Sequence, residues 1–196
     1  KINQILAGKL LTLGEFALPD QLHWSIRQLA PQERIQTWMR LCLGDPARTL
    51  LFFNTRSETE KFANVLRRSG LEATFFHAGL AREEKLAILN RFRQGRITHL
   101  CATGAFGMGV DLPNLDRTFI TQVPYSPVAF VQAIGRVARF QKRGEATLFW
   151  SEEDFRALYQ RGREDTVFLD KLKDMRSFLD LRTRHDQTHW LKNHFL

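Results

Sequence analysis

Short apolar runs alternate with capped, amphipathic segments along most of this chain, and this alternation constrains its fold more than any other feature. Residues 49–54 form an almost continuous apolar run, after which Ser57 and Glu60 provide a capping box for a helix that Gly70 ends. Further apolar runs lie at residues 73–77, 97–102, 117–121 and 146–150. Strands that are buried on both faces have such runs, and the helices between them cover the sheet. The sequence therefore predicts an α/β fold, a doubly wound parallel sheet with helices on both faces.

The helices between these runs have recognisable apolar faces and ends. One helix is expected over residues 31–43, ending at Gly44, and another is expected to end at Gly95. The buried faces of these two helices are predicted to carry Ile35, Trp38, Met39 and Cys42 in the first, and Leu86, Leu89 and Phe92 in the second. A third helix is predicted to begin with Ser126 as its N-cap and Pro127 at its first position.

The composition changes along the chain and suggests three regions. Residues 1–30 are expected to be a linker or an edge segment, and residues 31–160 are expected to form the α/β domain. From residue 152 onward the sequence is helical in pattern and rich in charge, and a glycine between Arg161 and Arg163 interrupts it. Residues 161–196 are therefore expected to form a helical C-terminal extension.

Length, cysteine content and charge limit the class of protein. The chain has 196 residues, 43% of them hydrophobic, which is enough for a buried core and an appendage. It begins at Lys1 and has no apolar run of about 18 residues, so neither a signal peptide nor a membrane span is expected. Two cysteines, Cys42 and Cys101, provide no disulfide framework, which favours a cytoplasmic location. A formal net charge of +8 favours a polyanionic partner such as nucleic acid, although an anionic membrane surface would also fit the charge.

Two sequence motifs in the second half of the predicted domain are candidates for binding a ligand. Residues 102–111, ATGAFGMGVD, are rich in glycine directly after an apolar run, so the backbone can approach a ligand closely. Residues 132–139, QAIGRVAR, follow the predicted N-cap, and helical spacing would place Gln132, Arg136 and Arg139 on one face. Gly135 lies inside this predicted helix, where glycine costs about 1 kcal/mol relative to alanine, which indicates close packing or a close approach of the backbone. Both motifs are expected near the carboxyl ends of the strands, where ligands bind to open α/β sheets.

Residues 103–111 resemble motif V of superfamily-two helicases, and residues 132–139 resemble motif VI. Residues 50–56, LLFFNTR, resemble motif IV. The three motifs lie in the usual order and spacing, so the chain resembles the second RecA-like domain of such a helicase. Residues 105–111, AFGMGVD, and residues 77–80, HAGL, are similar to the RecQ family of DNA helicases. Residues 134–140, IGRVARF, are closer to the DEAD-box RNA helicases. The resemblance implies a RecA-like sheet and an ATP-dependent motor.

The chain departs from each of these two families at one signature. RecQ proteins usually continue motif VI as Gly-Arg-Ala-Gly-Arg-Asp, whereas Ala138 and Phe140 stand here in place of the glycine and the aspartate. DEAD-box proteins usually carry Ala-Ala-Arg-Gly in motif V, and residues 105–108 lack that arginine. These residues leave the choice between DNA and RNA open, and DNA is favoured.

The resemblance implies roles for residues of motifs V and VI. Asp111 would contact the ATP ribose, and Gly109 would let the backbone approach the nucleotide. Gln132 would belong to the same ATP-binding set, in which Arg136 and Arg139 reach the phosphates and act in catalysis, Arg139 as the arginine finger. The predicted nucleic-acid contacts, which are polar side chains and glycine backbone near strand ends, are Asn54, Thr55, Arg56, His77, Gly79 and Thr103.

A complete ATP site is not expected on this chain. The pattern Gly-x-x-x-x-Gly-Lys-Ser/Thr does not occur, and in the superfamily it resembles, the phosphate cradle and the Mg²⁺ site lie on a preceding RecA-like domain. ATP is therefore the expected cofactor, with Mg²⁺ bound mainly by that N-terminal domain, and this chain alone should hydrolyse ATP negligibly. The expected function is the second motor domain of an ATP-dependent helicase that acts on single-stranded or partly duplex nucleic acid.

Other interpretations compete with this one. A DEAD-box-like RNA helicase domain and a catalytically silent nucleic-acid-binding module both remain open. A dinucleotide site is disfavoured, because the glycine spacing of residues 104–109 reverses Gly-x-Gly-x-x-Gly and Pro113 blocks a following helix. His185, His189 and His194 have metal-like spacing, but no cysteine accompanies them, so no metal site is expected.

Overall fold

Strands and helices alternate along the computed structural model, which describes residues 18–104, 112, 115–137 and 143–195. The strands within these ranges are β1 (Leu22–Gln28), β2 (Thr49–Phe53), β3 (Ala73–Phe76), β4 (His99–Thr103), β5 (Arg117–Ile120) and β6 (Gly144–Trp150). The helices within them are α1 (Pro31–Leu43), α2 (Arg56–Arg68), α3 (Arg82–Arg93), α4 (Pro127–Ile134), α5 (Glu152–Gly162), α6 (Thr166–Leu179) and α7 (Arg184–Phe195).

The described strands form one sheet in the order β1-β6-β5-β2-β4-β3, and every neighbouring pair is parallel. In the centre, Phe53 of β2 lies opposite Thr103 of β4, and Phe52 lies opposite Ile120 of β5. The five predicted strands and the doubly wound parallel sheet are confirmed. The edge segment contributes a sixth strand, since β1 pairs with β6 along its whole length.

Helices cover both faces of the sheet, as the sequence predicts. Side chains of a strand point alternately to the two faces, and all five residues of β2 are buried. Leu50 and Phe52 belong to a core that also contains residues of α3 to α7. Leu51 and Phe53 belong to a second core with residues of α1 and α2.

The predicted apolar faces of α1 and α3 are wrong at one position each. Ile35 is 58% exposed and Leu86 is 53% exposed. The buried residues of α1 are Arg34, Trp38 and Cys42, which lie four residues apart on one stripe, so Ile35 falls beside that stripe. The charged side chain of Arg34 is buried in place of Ile35, because it forms an ion pair with the buried Asp154.

The N-terminus of α2 differs from the predicted one. The capping residue is Thr55, not Ser57: its hydroxyl accepts a hydrogen bond of 3.2 Å from the backbone N–H of Glu58. The same hydroxyl donates to the carboxylate of Glu58 at 2.6 Å. Thr55 and Glu58 have the same spacing as Ser57 and Glu60, so the local pattern fits both starts equally well. The helix takes the earlier start and begins at Arg56.

The helix that precedes Arg136 is shorter than predicted. Its start is confirmed, because Pro127 is the first residue and the Ser126 hydroxyl accepts a hydrogen bond of 3.2 Å from the backbone N–H of Ala129. Its end is not, because α4 stops at Ile134 and Gly135 is its C-cap, with ψ near zero. Arg136 therefore lies in a turn after the helix rather than on a helical face shared with Gln132.

The helical extension packs into the same core as the sheet. Leu172, Met175 and Phe178 of α6 and Leu191 of α7 are fully buried there. The boundaries that the sequence predicts at residues 30 and 160 stay a prediction. Within the described ranges, none of the helices combines the length and the apolar character that crossing a bilayer requires.

Candidate functional site

A crevice opens at the carboxyl ends of β2, β4 and β5, beside α4. Strands β2 and β5 are neighbours in the sheet, but the helices that follow them, α2 and α4, pack on opposite faces. Open α/β sheets bind ligands at such switch points. The polar, aromatic and glycine residues that line the crevice include Asn54, Gly104, Tyr125, Gln132 and Arg136. Among the described residues, the charged side chain that lines the crevice is that of Arg136, which favours a negatively charged ligand.

Two of the predicted ATP-binding residues meet in this crevice. Gln132 lies in the last turn of α4 and is exposed, and the half-buried Arg136 follows the end of that helix. Gly109, Asp111 and Arg139 lie outside the described residues. The crevice encloses about 70 Å³, well below the roughly 300–1,000 Å³ of a site that encloses a small ligand. A crevice of this size fits one wall of a nucleotide site.

The loop between β5 and α4 is tied to the end of β2 by side-chain hydrogen bonds. The backbone N–H of Asn54 donates to Oε1 of Gln122 at 3.2 Å, and Nδ2 of Asn54 donates to the carbonyl of Val123 at 3.2 Å. Nε2 of Gln122 donates in turn to Glu58 at 2.8 Å. The amide of Asn54, predicted to contact nucleic acid, thus holds the loop that leads into α4.

A buried ion pair supports the same loop from the other side. The Asp154 carboxylate accepts two hydrogen bonds of 2.7 Å from Arg34, and it also accepts the backbone N–H of Ser151 at 3.0 Å and of Val123 at 3.4 Å. Sequence reasoning missed this cluster. The spacing of Ser151 and Asp154 matches a capping box and could have indicated the start of α5, but the partner Arg34 could not be inferred.

Three predicted nucleic-acid residues meet at the carboxyl end of β3. A β-carbon placed on Gly79 would lie 2.9 Å from Nη1 of Arg56 and 3.3 Å from Nδ1 of His77. Arg56 and Gly79 are exposed, whereas His77 is only 6% exposed, stacks on Phe75 and has Nε2 at 2.9 Å from the carboxylate of Glu60. Arg56 and the backbone of Gly79 are therefore accessible to a ligand, with His77 packed beside them.

The remaining predicted contacts lie between these two places. Thr103 is the last residue of β4 and is half-buried. Thr55 is also half-buried, and its hydroxyl is engaged in capping α2. The six predicted nucleic-acid contacts therefore lie along one edge of the sheet, from the crevice to the end of β3. Their roles in binding stay predictions.

Two histidines of α7 contact neighbours on their own helix, and His194 also lies 3.9 Å from the carboxylate of Asp174 in α6. Nε2 of His189 lies 3.0 Å from Nδ2 of Asn193, and His194 stacks on Trp190 with ring centroids 4.3 Å apart. Over the described ranges, no group of three or more His, Cys, Asp and Glu residues is arranged to hold a metal ion. Both cysteines are free and buried in the core, and burial raises the pKa of Cys42 to about 12.

Known proteins are similar to this chain in sequence and in fold. Residues 33–141 match the model of the helicase conserved C-terminal domain. The chain is 28% identical over 149 residues to an ATP-dependent DNA helicase RecQ of Pasteurella multocida. The aligned region covers 76% of this chain and 23% of that protein. It is 33% identical over 113 residues to an ATP-dependent rRNA helicase of Phaeosphaeria nodorum, covering 58% of this chain and 20% of that protein. The E. coli DEAD-box protein SrmB, bound to regulator of ribonuclease activity A, matches with a TM-score of 0.62 and 25% identity over 72% of this chain and 84% of that chain.

These similarities confirm the expected RecA-like fold and the resemblance to superfamily-two helicases with both RecQ and DEAD-box relatives. The chain spans about a fifth to a quarter of the length of the two curated relatives. The matched family model covers more than half of the chain and includes the crevice residues from Asn54 to Arg136. The chain therefore belongs to the helicase conserved C-terminal domain family.

Proposed function

We propose that this chain is the second motor domain of an ATP-dependent nucleic-acid helicase. The observation that carries the proposal is the crevice itself, in which Gln132 and Arg136 meet at the carboxyl edge of the sheet in a chain of this family. The small volume of the crevice supports a site shared between two domains. The preceding RecA-like domain would supply the phosphate cradle and the Mg²⁺ site.

The chemistry proposed for the arginines is electrostatic. The guanidinium groups of Arg136 and Arg139 would face the nucleotide phosphates across the gap between the domains and stabilise the charge that develops as the terminal phosphoryl bond breaks. Arg139 is the proposed arginine finger, and lysine would replace it poorly because it lacks the planar fork of donors. Asp111 would bind the ATP ribose, and Gly109 would let the backbone approach the nucleotide. The two domains would close around ATP and grip the strand, and release after hydrolysis would reopen them.

The proposed nucleic-acid face uses backbone contacts rather than base contacts. The exposed Arg56 would bind a phosphate, with Gly79 and Thr103 approaching the sugar-phosphate chain nearby. Such contacts carry little sequence preference. We propose DNA as the substrate, because the RecQ relative matches 76% of this chain, a larger share than the rRNA helicase matches. A cytoplasmic location stays a prediction.

A second candidate is an RNA helicase domain. It is favoured by the 33% identity to the rRNA helicase and by the structural likeness to a DEAD-box protein. ATPase stimulation of the full-length protein by single-stranded DNA and by RNA of the same length distinguishes the two candidates. Stronger stimulation by RNA would replace DNA as the proposed substrate.

The motor role is tested with arginine variants of the full-length protein. Arg136→Ala and Arg139→Ala should each lower the nucleic-acid-stimulated ATPase rate by about 10³-fold or more, as expected for arginines that stabilise a phosphoryl-transfer transition state. Arg163→Ala is the matched control, because its side chain is 78% exposed and lies outside the crevice. Undiminished turnover in both Arg136→Ala and Arg139→Ala would remove the proposed arginine roles.

The wild-type proteins provide two further tests of the same proposal. A full-length protein that binds nucleic acid but never hydrolyses ATP would be a catalytically silent module. The isolated chain should show negligible ATP hydrolysis, and robust turnover by it would contradict a site shared with a preceding domain.

A further inference from the structure

The turn between α5 and α6 places one aromatic ring in a fixed position. Asp165 is the N-cap of α6, and its carboxylate accepts a hydrogen bond of 2.9 Å from the backbone N–H of Phe168. The backbone N–H of Asp165 donates to the carbonyl of Gly162, the last residue of α5, at 2.9 Å. A β-carbon on Gly162 would lie only 1.9 Å from Cδ1 of Phe168. The Phe168 ring therefore occupies the space that any other residue at position 162 would need.

This ring reaches the crevice through Tyr125. The ring centroids of Phe168 and Tyr125 are 5.9 Å apart, within the range of aromatic contact. The Tyr125 hydroxyl donates a hydrogen bond of 3.2 Å to the carbonyl of Asn54, and Tyr125 lines the crevice together with Arg136. Tyr125 also directly precedes Ser126, the N-cap of α4. One side chain thus joins the extension, the end of β2 and the start of the helix that leads to Arg136.

The far end of α6 holds α4 as well. Phe178 of α6 packs on Phe130 of α4 with ring centroids 5.2 Å apart, and both rings contact Trp24 of β1 at 6.3 and 5.7 Å. Phe130 and Phe178 are fully buried. The extension therefore supports α4 at two points, near its start through Tyr125 and along its length through Phe130.

We propose that Tyr125 and Phe168 are positioning residues for the ATP site, through which the helical extension sets the position of α4 and of Arg136. The inference rests on the proposed function, because it assigns to the extension a role in the reaction of that site. A displacement of about 1 Å in a catalytic group can lower a rate by up to about 10²-fold, so a contact outside the site can control turnover. Neither residue needs to contact the phosphates for this role.

The test uses steady-state ATPase kinetics of the full-length protein with saturating nucleic acid. Phe168→Ala should lower kcat about tenfold and leave KM for ATP within about twofold, because a misplaced arginine loses transition-state contacts rather than ground-state binding. Phe168→Tyr, which keeps an aromatic ring, should restore most of kcat. Val167→Ala is the matched control, since Val167 is 61% exposed on the same helical turn, and it should keep the wild-type kcat.

A second variant keeps the inference testable if Phe168→Ala does not fold. Tyr125→Phe retains the ring and loses only the hydrogen bond to Asn54. Its kcat should fall about threefold with unchanged KM, and the variant should still unfold cooperatively, at a slightly lower temperature. Wild-type kcat in Tyr125→Phe and in folded Phe168→Ala, beside normal wild-type turnover, would overturn the inference and leave the proposed function standing. An equal loss of kcat in Val167→Ala would also overturn it. Absence of ATPase activity in the wild-type protein would refute the proposed function, and the inference with it.

Discussion

The guanidinium of Arg34 donates two hydrogen bonds of 2.7 Å to the carboxylate of Asp154, although 120 residues separate them. Both side chains are buried. The pair joins α1 on one face of the sheet to the start of α5, and Asp154 also holds the backbone of Val123 in the loop before α4. The ion pair therefore joins helices on opposite faces of the sheet to the loop that precedes α4.

Removing one partner of this pair should strongly destabilise the domain. Arg34→Ala leaves the Asp154 carboxylate buried without its cation, and the free energy of unfolding should fall by about 3–5 kcal/mol. Urea unfolding of this chain followed by circular dichroism measures the loss. Arg156→Ala is the control: its side chain is 74% exposed, 4.0 Å from Glu153, and it should cost at most about 1 kcal/mol. Equal losses in the two variants would show that the buried pair has no special role.

Gly79 should control the position of Arg56. A methyl group at position 79 would lie 2.9 Å from Nη1 of Arg56, so Gly79→Ala should displace the guanidinium and weaken single-strand binding by about tenfold, the equivalent of about 1.4 kcal/mol. Fluorescence anisotropy with a labelled oligonucleotide measures the affinity. If both changes act through the same contact, the double variant with Arg56→Ala should bind no more weakly than Arg56→Ala alone.

The control for this cycle is Arg68→Ala, an exposed arginine at the far end of α2. Its removal should change the affinity little beyond the loss of one distant charge. Fully additive losses from Gly79→Ala and Arg56→Ala would mean that Gly79 does not act through Arg56.

Protonation of His99 should destabilise the fold in mild acid. Burial and the nearby Arg117 guanidinium lower the pKa of His99 from 6.5 to about 4. The unfolded chain therefore binds a proton that the folded chain does not. Stability should be complete above pH 6.5 and fall as the pH drops toward 4, by about 1.4 kcal/mol per pH unit and about 3 kcal/mol in all.

Urea unfolding at a series of pH values across this window tests the His99 prediction. His99→Gln should remove this part of the pH dependence, since glutamine does not titrate, even if the variant is less stable at neutral pH. The same decline with pH in the wild type and the variant would assign the effect to other groups.

Binding to single strands should weaken with salt. If Arg56 and its neighbours contact phosphates, the logarithm of the association constant should fall with the logarithm of salt concentration by about 0.7 per neutralised phosphate. Arg56→Ala should make this slope shallower by about one phosphate contact. A flat salt response of the wild-type protein would remove the basic surface as a nucleic-acid site.

The elements of the fold could be predicted because their signals are local. The apolar run in β2 and the glycine that ends α3, with φ of 74° at Gly95, depend on neighbouring residues only. Errors arose where two local patterns were equally good, as for the caps Thr55 and Ser57, or where a distant partner changed the outcome. Arg34 takes a core position that apolar patterning assigns to Ile35, because Asp154 compensates the cost of burying its charge.

The sequence by itself determined the βα order, the parallel sheet and the phrases that contain Gln132 and Arg136, since apolar periodicity, caps and short motifs are properties of adjacent residues. Only the tertiary structure decided that Arg136 follows α4 instead of lying on it, and that Tyr125 connects Phe168 to Asn54. Contacts of this second kind join segments that are far apart in the chain. Their free energies depend on how whole helices pack, and no local pattern of residues encodes that packing.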